Sequence, residues 1–334
     1  MTQVIQVNPD QPDAQAIAQA TAIIHKGGLV AFPTETVYGL GADAMSEQAV
    51  RRIFAAKGRP ADNPLIVHIS NRAMLDLVAA DVSGQAEALI DRYWPGPLTL
   101  VLKRKPEVAV SVSAGLPTVA VRMPNNPIAL ALIRAAAMPI AAPSANRSGR
   151  PSPTMAAHVV LDLEGRIEMI LDGGATNIGI ESTVLDMTGR VPVILRPGWI
   201  TEEQIAAIVG AVERATSLQE LQRSPGTRYR HYSPRARVVL IEHGSPASLE
   251  QVCKEHLKTA TVGFIGHTPL AIDNANFHAM ILQANAADYA SKIYSALREM
   301  DERNASIVII EGISEAGEGA AVMDRLRRAA SEIV

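Results

Sequence analysis

The chain has 334 residues, 48% of them hydrophobic and 19% charged, which is long enough for two domains and globular rather than disordered in composition. A net charge of -3 and an aromatic share of 4% argue against a generic nucleic-acid coat and against a base-stacking platform. The one cysteine, Cys253, excludes an internal disulfide and a cysteine-rich zinc site, and no segment offers the roughly 18 apolar residues that a membrane span needs.

The opening Met1–Val7 has no basic region and no long apolar run, so no secretory signal is expected and a cytoplasmic protein is. Residues 13–26 place Ala16, Ile17, Ala20, Ile23 and Ile24 at helical spacing, and Gly27-Gly28 ends the run. A strand is predicted at 29–32. It leads into Phe32-Pro33-Thr34-Glu35-Thr36-Val37-Tyr38-Gly39-Leu40-Gly41, which is polar and rich in turn formers. Ser46 has the N-cap residue type for a helix reaching about Ala56. Then comes Lys57-Gly58-Arg59-Pro60-Ala61-Asp62-Asn63-Pro64-Leu65-Ile66-Val67-His68. Gly58 and Pro60 break any helix there, which predicts Lys57 and Arg59 on a turn entering a strand at 65–69.

Helices are predicted at 72–80 and 84–93, strands at 98–102 and 118–122, a helix at 126–137 and a short strand at 139–142. Strands follow at 168–171, 182–187 and 192–195, with a helix at 201–209. This mixture without strict alternation predicts an α/β fold, a twisted and partly parallel mixed sheet with helices on its faces. Residues 213–236 change character. Ser224-Pro225-Gly226-Thr227-Arg228-Tyr229-Arg230-His231-Tyr232-Ser233-Pro234 is dense in cations and aromatics and reads as an ordered linker. Beyond it, strands at 238–241, 261–265 and 306–310 alternate with helices at 247–257, 286–300 and 319–330. Such alternation predicts a smaller parallel α/β domain, with Cys253 as a small apolar residue in its first helix. The expected boundaries are 1–212, 213–236 and 237–334. No G-x-G-x-x-G follows the first strand of the last domain, so dinucleotide binding there is unsupported.

A cation pair at i and i+2 suits a phosphate, Lys57 supplying a point charge and Arg59 a planar fork. Trp94-Pro95-Gly96-Pro97-Leu98-Thr99 leads into one strand. Val119-Ala120-Val121-Arg122-Met123-Pro124 ends another in an arginine, and Pro139-Ile140-Ala141-Ala142-Pro143-Ser144-Ala145-Asn146 sets small hydroxyl and amide side chains after a third. There is no G-x-x-x-x-G-K-[ST], so any use of ATP is not of the P-loop kind. No H-E-x-x-H occurs and the histidines are scattered, so no protein-bound zinc is expected. G-x-S-x-G is absent too, which lowers a hydrolase reading. The inventory fits chemistry driven by positioning and charge stabilisation rather than by a protein nucleophile.

These five motifs, in this order, resemble the YrdC-like domain of the threonylcarbamoyl-AMP synthases, whose Lys-x-Arg and Ser-x-Asn signature stands here as Lys57/Arg59 and Ser144/Asn146. The linker followed by a Rossmann-like domain resembles the long members of that family, so the resemblance spans nearly the whole chain. It implies the formation of threonylcarbamoyl-adenylate and pyrophosphate from L-threonine, bicarbonate and ATP, with magnesium arriving as Mg-ATP. It also implies a downstream tRNA threonylcarbamoyl transferase complex that uses the product. By the same resemblance Lys57 and Arg59 are the catalytic pair at the triphosphate. Asn63, Thr118, Ala142, Ser144, Asn146, Ser152, Arg196 and Tyr232 join Arg59 around ATP, and Thr36, His68, Arg122 and Ser182 hold threonine.

Glu35 and Glu181 are both open as groups that balance cations or order magnesium; the metal ligands are not readable. Arg228, Tyr229, Arg230, His231 and Tyr232 are expected to fold over the cleft as a lid that shields a water-sensitive adenylate. The competing reading is an RNA-binding module of the same fold, with Lys103-Arg104-Lys105, Arg147 and Arg150 lining a basic groove and only weak RNA contact.

Overall fold

The computed structural model describes residues 1–224 and 232–334. They form two compact units. One comprises Met1–Ser148, Ser152–Asn177 and Glu181–Tyr229; the other comprises Gly149–Pro151, Ile178–Ile180 and Arg230–Val334.

The strands of the first unit are β1 (Gln3–Gln6), β2 (Val30–Phe32), β3 (Gly39–Asp43), β4 (Ile66–His68), β5 (Ala79–Ala80), β6 (Leu98–Arg104), β7 (Thr118–Arg122), β8 (Ile140–Ala141), β9 (Met169–Asp172), β10 (Thr183–Asp186), β11 (Val193–Arg196) and β12 (Glu213–Arg214). Its helices are α1 (Ala14–His25), α2 (Glu47–Lys57), α3 (Arg72–Val78), α4 (Gly84–Tyr93), α5 (Pro127–Ala136), α6 (Ala156–Leu163), α7 (Glu202–Val209) and the single turn α8 (Leu218–Leu221). The strands make one mixed sheet in the order β1-β9-β2-β3-β8-β4-β7-β6-β10-β11-β12, with β5 on the side of β6.

Register decides what each face carries. His68 lies beside Arg122, and Ile66 beside Ala120, in the parallel β4–β7 pair. Val101 opposes Ala120 in β6–β7, and Val184 lies beside Thr99 in β6–β10. Side chains alternate across a strand. Thr118, Ala120 and Arg122 therefore share a face with Ile66, His68, Thr99, Val101 and Val184. The other face carries Leu65, Val67, Leu98, Leu100, Leu102, Val119, Val121 and Leu185, all in the main core. Ile66, Val101, Ala120 and Val184 instead form a small separate cluster with Leu195. One face is thus the wall of the core, and the other is a narrower surface with polar side chains at its two ends.

Local rules set the elements that enter this face. Ser46 caps α2, its side chain accepting from Ala49 N, and Gly58 ends the helix in a left-handed conformation with φ 61°. Lys57 is therefore the last helical residue, not a member of the turn predicted for it; the break falls one residue later, at the glycine that alone adopts this φ easily. The turn-rich segment from Phe32 to Gly41 contains a strand that its composition hides. Gly39 and Gly41 pair with Phe32 and Val30, and a Cβ on Gly41 would come within 2.7 Å of the Phe32 ring. Glycine here makes room for a neighbour rather than for a turn. The predicted helix at 72–80 stops at Val78, where Ala79 and Ala80 join the sheet against Lys103 and Arg104.

The strands of the second unit are β13 (Arg237–Ile241), β14 (Val262–Gly266), β15 (Phe277–Ile281), β16 (Ile307–Glu311) and β17 (Glu332–Ile333), with helices α9 (Pro246–His256), α10 (Ala286–Glu302) and α11 (Gly319–Ala329). Every pairing in this sheet is parallel, in the order β15-β14-β16-β13-β17. This is an open Rossmann-like α/β sheet with its own strand order. Cys253 is buried on α9, where burial pushes its thiol up to about 12 and keeps it unreactive.

Candidate active site

The polar face has two ends. At the entry end of β4, Ala142 N donates to Ile66 O at 2.9 Å, and Ser144 bridges to Gly39. The Ser144–Asn146 loop therefore lies beside the residues that precede β4, Asn63 and Arg59 among them. Thr118 opens β7 at this same end.

Lys57 organises the loop. Its Nζ donates to Ser144 O at 2.5 Å and to Asn146 O at 2.5 Å, and its own carbonyl accepts from Ser148 N at 2.9 Å. The lysine is fully buried. Burial holds its pKa well below the ordinary lysine range, the Arg59 charge pushes the same way, and Asp162 opposes them. Ser144 Oγ in turn donates to Asn146 Oδ1 at 2.5 Å. Arg59, half-buried, braces its own turn by donating through Nη2 to Pro64 O at 3.0 Å.

At the exit end stands Arg122, whose buried guanidinium spreads over three partners. Nε donates to Gly96 O at 3.1 Å, Nη1 donates to Thr36 Oγ1 at 2.9 Å, and Nη2 pairs with Glu35 Oε1 at 2.6 Å. Of the two carboxylates left open by the sequence, Glu35 is thus the one that balances Arg122. Thr36 Oγ1 also shares a 2.9 Å bond with Thr34 Oγ1. His68, beside Arg122 in register, is buried, and its Nδ1 has no hydrogen-bond partner. Burial and the Arg122 charge depress its pKa to about 3, so the imidazole is neutral at physiological pH. A buried ring nitrogen without a partner is costly unless a ligand meets it.

A second cluster adjoins this end. Ser182 Oγ and Thr99 Oγ1 share a 2.8 Å bond. Arg196 Nη2 donates to Ser182 O at 2.9 Å, so the structure brings Arg196 to the expected threonine residue Ser182. Ser152 Oγ donates to Glu181 Oε1 at 2.5 Å, which joins the second carboxylate to a residue expected near ATP. The approach that permits this is at Gly198, where a Cβ would stand 2.1 Å from Thr183 N. The sequence reading missed Thr99 and Gly198. The strand pattern at 98–102 places Thr99 on the face opposite the core leucines, and that was the available signal for it.

Tyr232 belongs to the second unit. Its ring stacks on Tyr294 with centroids 5.3 Å apart, and the Arg325 guanidinium lies 5.7 Å from its centre. The other expected lid residues, Arg228, Tyr229, Arg230 and His231, lie outside the described residues, as does Thr227. Among the described residues no three His, Cys, Asp or Glu side chains gather to hold a metal ion, and no helix is long and apolar enough to cross a membrane.

This is an α/β protein whose mixed sheet gathers cations, hydroxyls and a neutral histidine on one face, groups chemically suited to small polar and anionic ligands. Two family descriptions match: residues 22–198 fit the family described as "Telomere recombination", and residues 200–331 fit "Threonylcarbamoyl-AMP synthase, C-terminal domain". Threonylcarbamoyl-AMP synthase of Pyrococcus abyssi is 45% identical over 98% of each chain. The Bacillus subtilis protein of the same name is 46% identical over 94% of this chain and 92% of its own. The crystal structure of Pyrococcus abyssi Sua5 complexed with L-threonine superposes with a TM-score of 0.94, at 44% identity and over 100% of both chains. The chain belongs to the threonylcarbamoyl-AMP synthase family.

Proposed function

We propose that this protein makes L-threonylcarbamoyladenylate from L-threonine, bicarbonate and ATP, releasing pyrophosphate and water, as the first step of N6-threonylcarbamoyladenosine formation in tRNA. The observation that carries the reading is the division of one sheet face. Arg59, Asn63, Thr118, Ala142, Ser144 and Asn146 lie at the entry end of β4 and β7, and Thr36, His68 and Arg122 at the exit end. The run from Thr118 to Arg122 covers about 13 Å at roughly 3.3 Å per residue, a span that suits a nucleotide phosphate at one end and an amino acid at the other.

The threonine amine adds to bicarbonate, losing water, to give a carbamate. A carbamate oxygen then attacks the α-phosphorus of ATP, a P–O bond forms, and the bond to the β-phosphate oxygen breaks. The leaving pyrophosphate carries the electron pair. Arg59 supplies fixed positive charge at the entry end, with Ser144 and Asn146 as polar contacts, and Arg196 and Ser152, in the cluster that adjoins the exit end, act on the α-phosphoryl group where nucleotide and amino acid meet. Lys57 acts through the loop that it holds. The remaining N–H groups of Arg122 take the threonine carboxylate, and neutral His68 meets a substrate polar group through Nδ1. Magnesium enters on the triphosphate, with Glu181 as the carboxylate on the Ser152 side. The product would pass to a tRNA threonylcarbamoyl transferase complex in the cytoplasm.

An RNA-binding role is less well supported, because the basic run is engaged locally. Lys103 Nζ pairs with Asp81 Oδ2 at 2.7 Å, Arg104 Nη1 donates to Val108 O at 2.8 Å, and Lys105 donates to Asp76 O. Pyrophosphate release by the purified protein with Mg-ATP tests the proposal. Release that needs both threonine and bicarbonate is expected. Salt-sensitive RNA binding with no threonine-dependent release would overturn it.

A further inference from the structure

The threonine end holds one buried carboxylate to which the reaction steps above give no task. Glu35 is 6% exposed. Its Oε1 lies 2.6 Å from Arg122 Nη2 as a charge pairing rather than a directed hydrogen bond, and its Oε2 is buried with no hydrogen-bond partner at all. A buried carboxylate oxygen left bare is costly unless a ligand donates to it.

The local chain explains why it is bare. Glu35 stands in the connection between β2 and β3. There Thr36 N and Val37 N donate to Thr34 Oγ1 at 3.2 and 3.3 Å, and Thr34 Oγ1 donates to Val37 O at 2.7 Å. The Thr36 hydroxyl is taken up by Arg122 Nη1 and Thr34 Oγ1. The turn thus closes on itself and spends its own donors, and the Glu35 carboxylate is not among their acceptors.

The charge pattern selects the ligand. Glu35 and Arg122 form a buried ion pair, and the complement of an ion pair is a zwitterion. The carboxylate of an amino acid suits the remaining N–H groups of Arg122, and its ammonium suits Glu35 Oε2. A divalent cation fits less well, because the Arg122 guanidinium stands 2.6 Å from the carboxylate and, among the described residues, no three His, Cys, Asp or Glu side chains gather. The ammonium must also lose protons before it reacts. When the C–N bond to the bicarbonate carbon forms and a C–O bond breaks, one of its three protons stays on the carbamate nitrogen and a second leaves with the bicarbonate hydroxyl as water. The third needs an acceptor.

We infer that Glu35 Oε2 holds the α-ammonium of L-threonine and takes that third proton, which makes Glu35 a catalytic residue; the inference rests on the synthase reading. Titration calorimetry of the full chain with L-threonine and with (R)-3-hydroxybutyrate, which is threonine without its amine, tests the contact. Both ligands carry the carboxylate and the hydroxyl, so the ratio of their affinities reports on the amine. The parent is expected to bind L-threonine at least tenfold tighter, and Glu35→Gln to bring the two within twofold. Pyrophosphate release by Glu35→Gln should fall at least a hundredfold, because an amide cannot take the proton. If Glu35→Gln fails to fold, Glu35→Asp decides: the charge stays but is withdrawn by one methylene, and the ratio should drop at least threefold. No preference for L-threonine in the parent, or an unchanged ratio in the variants, would overturn the contact. A ratio that collapses while Glu35→Gln turns over at the parent rate would overturn the proton transfer. A parent that prefers L-threonine but releases no pyrophosphate with it would overturn the synthase reading and the proton transfer with it, and leave the amine contact standing.

Discussion

At the residue scale, Lys57 and Arg59 form a signature pair with different roles. Lys57 is buried and spends its ammonium on two carbonyls, whereas Arg59 is half-buried and braces a turn. Lys57→Met leaves two buried acceptors without a donor, which costs about 1–3 kcal/mol each. Thermal unfolding should register that as a fall of about 2–4 °C in Tm per kcal/mol. Arg59→Met should leave Tm within a degree or two and raise the KM for ATP at least tenfold. Equal Tm in the two variants would remove the distinction.

His68 makes a pH prediction. Its folded pKa of about 3 lies below the ordinary value of 6.5. The unfolded chain therefore binds the proton first, and stability falls as pH drops from about 6.5 toward 3. Denaturant unfolding at pH 7 and pH 5 should show a smaller loss of stability in His68→Gln than in the parent; an equal loss would mean that the imidazole is not held neutral. The types of these residues were legible in the sequence, but the partners were not. Lys57 reads as a phosphate ligand because nothing local says that residues 144 and 146 fold back onto it, 87 and 89 positions away.

At the scale of elements, periodicity located the long helices and the strands of regular pattern; the expected cap Ser46 is in place, and Asn126 and Thr201, read as the first residues of their helices, prove to be the caps just before them. It failed where side-chain pattern is suppressed. β3 is Gly-Leu-Gly-Ala-Asp, and β1 and β15 are mostly exposed or half-exposed, so neither gives an apolar alternation. α6 follows a Pro-Ser-Pro run that reads as loop, and no side chain caps it. The hairpin that delivers Arg196 to Ser182 depends on Gly198, which a single sequence offers only as a turn residue. Gly198→Ala would force the Thr183 backbone away and break the Arg196 contact. Turnover should fall at least tenfold with the loss of stability typical of overpacking, about 1–3 kcal/mol. Unchanged activity and unfolding would show that the close approach is dispensable.

For the whole molecule, the sequence announced a mixed-sheet unit followed by a parallel one, and both are present. It could not announce strand order, because pairing between distant segments leaves no local trace. The register that puts His68 beside Arg122, and the Ser144 loop at the other end of β4, is the part of the account that function rests on. The most direct test is a pair of saturation curves, for ATP and for L-threonine, in Arg59→Lys and His68→Gln, read by pyrophosphate release. The account predicts a KM for ATP raised at least tenfold with the KM for threonine nearly unchanged in Arg59→Lys, and the reverse in His68→Gln. Both constants moving together in both variants, or the two effects exchanged, would contradict the division of the sheet face into a nucleotide end and an amino-acid end.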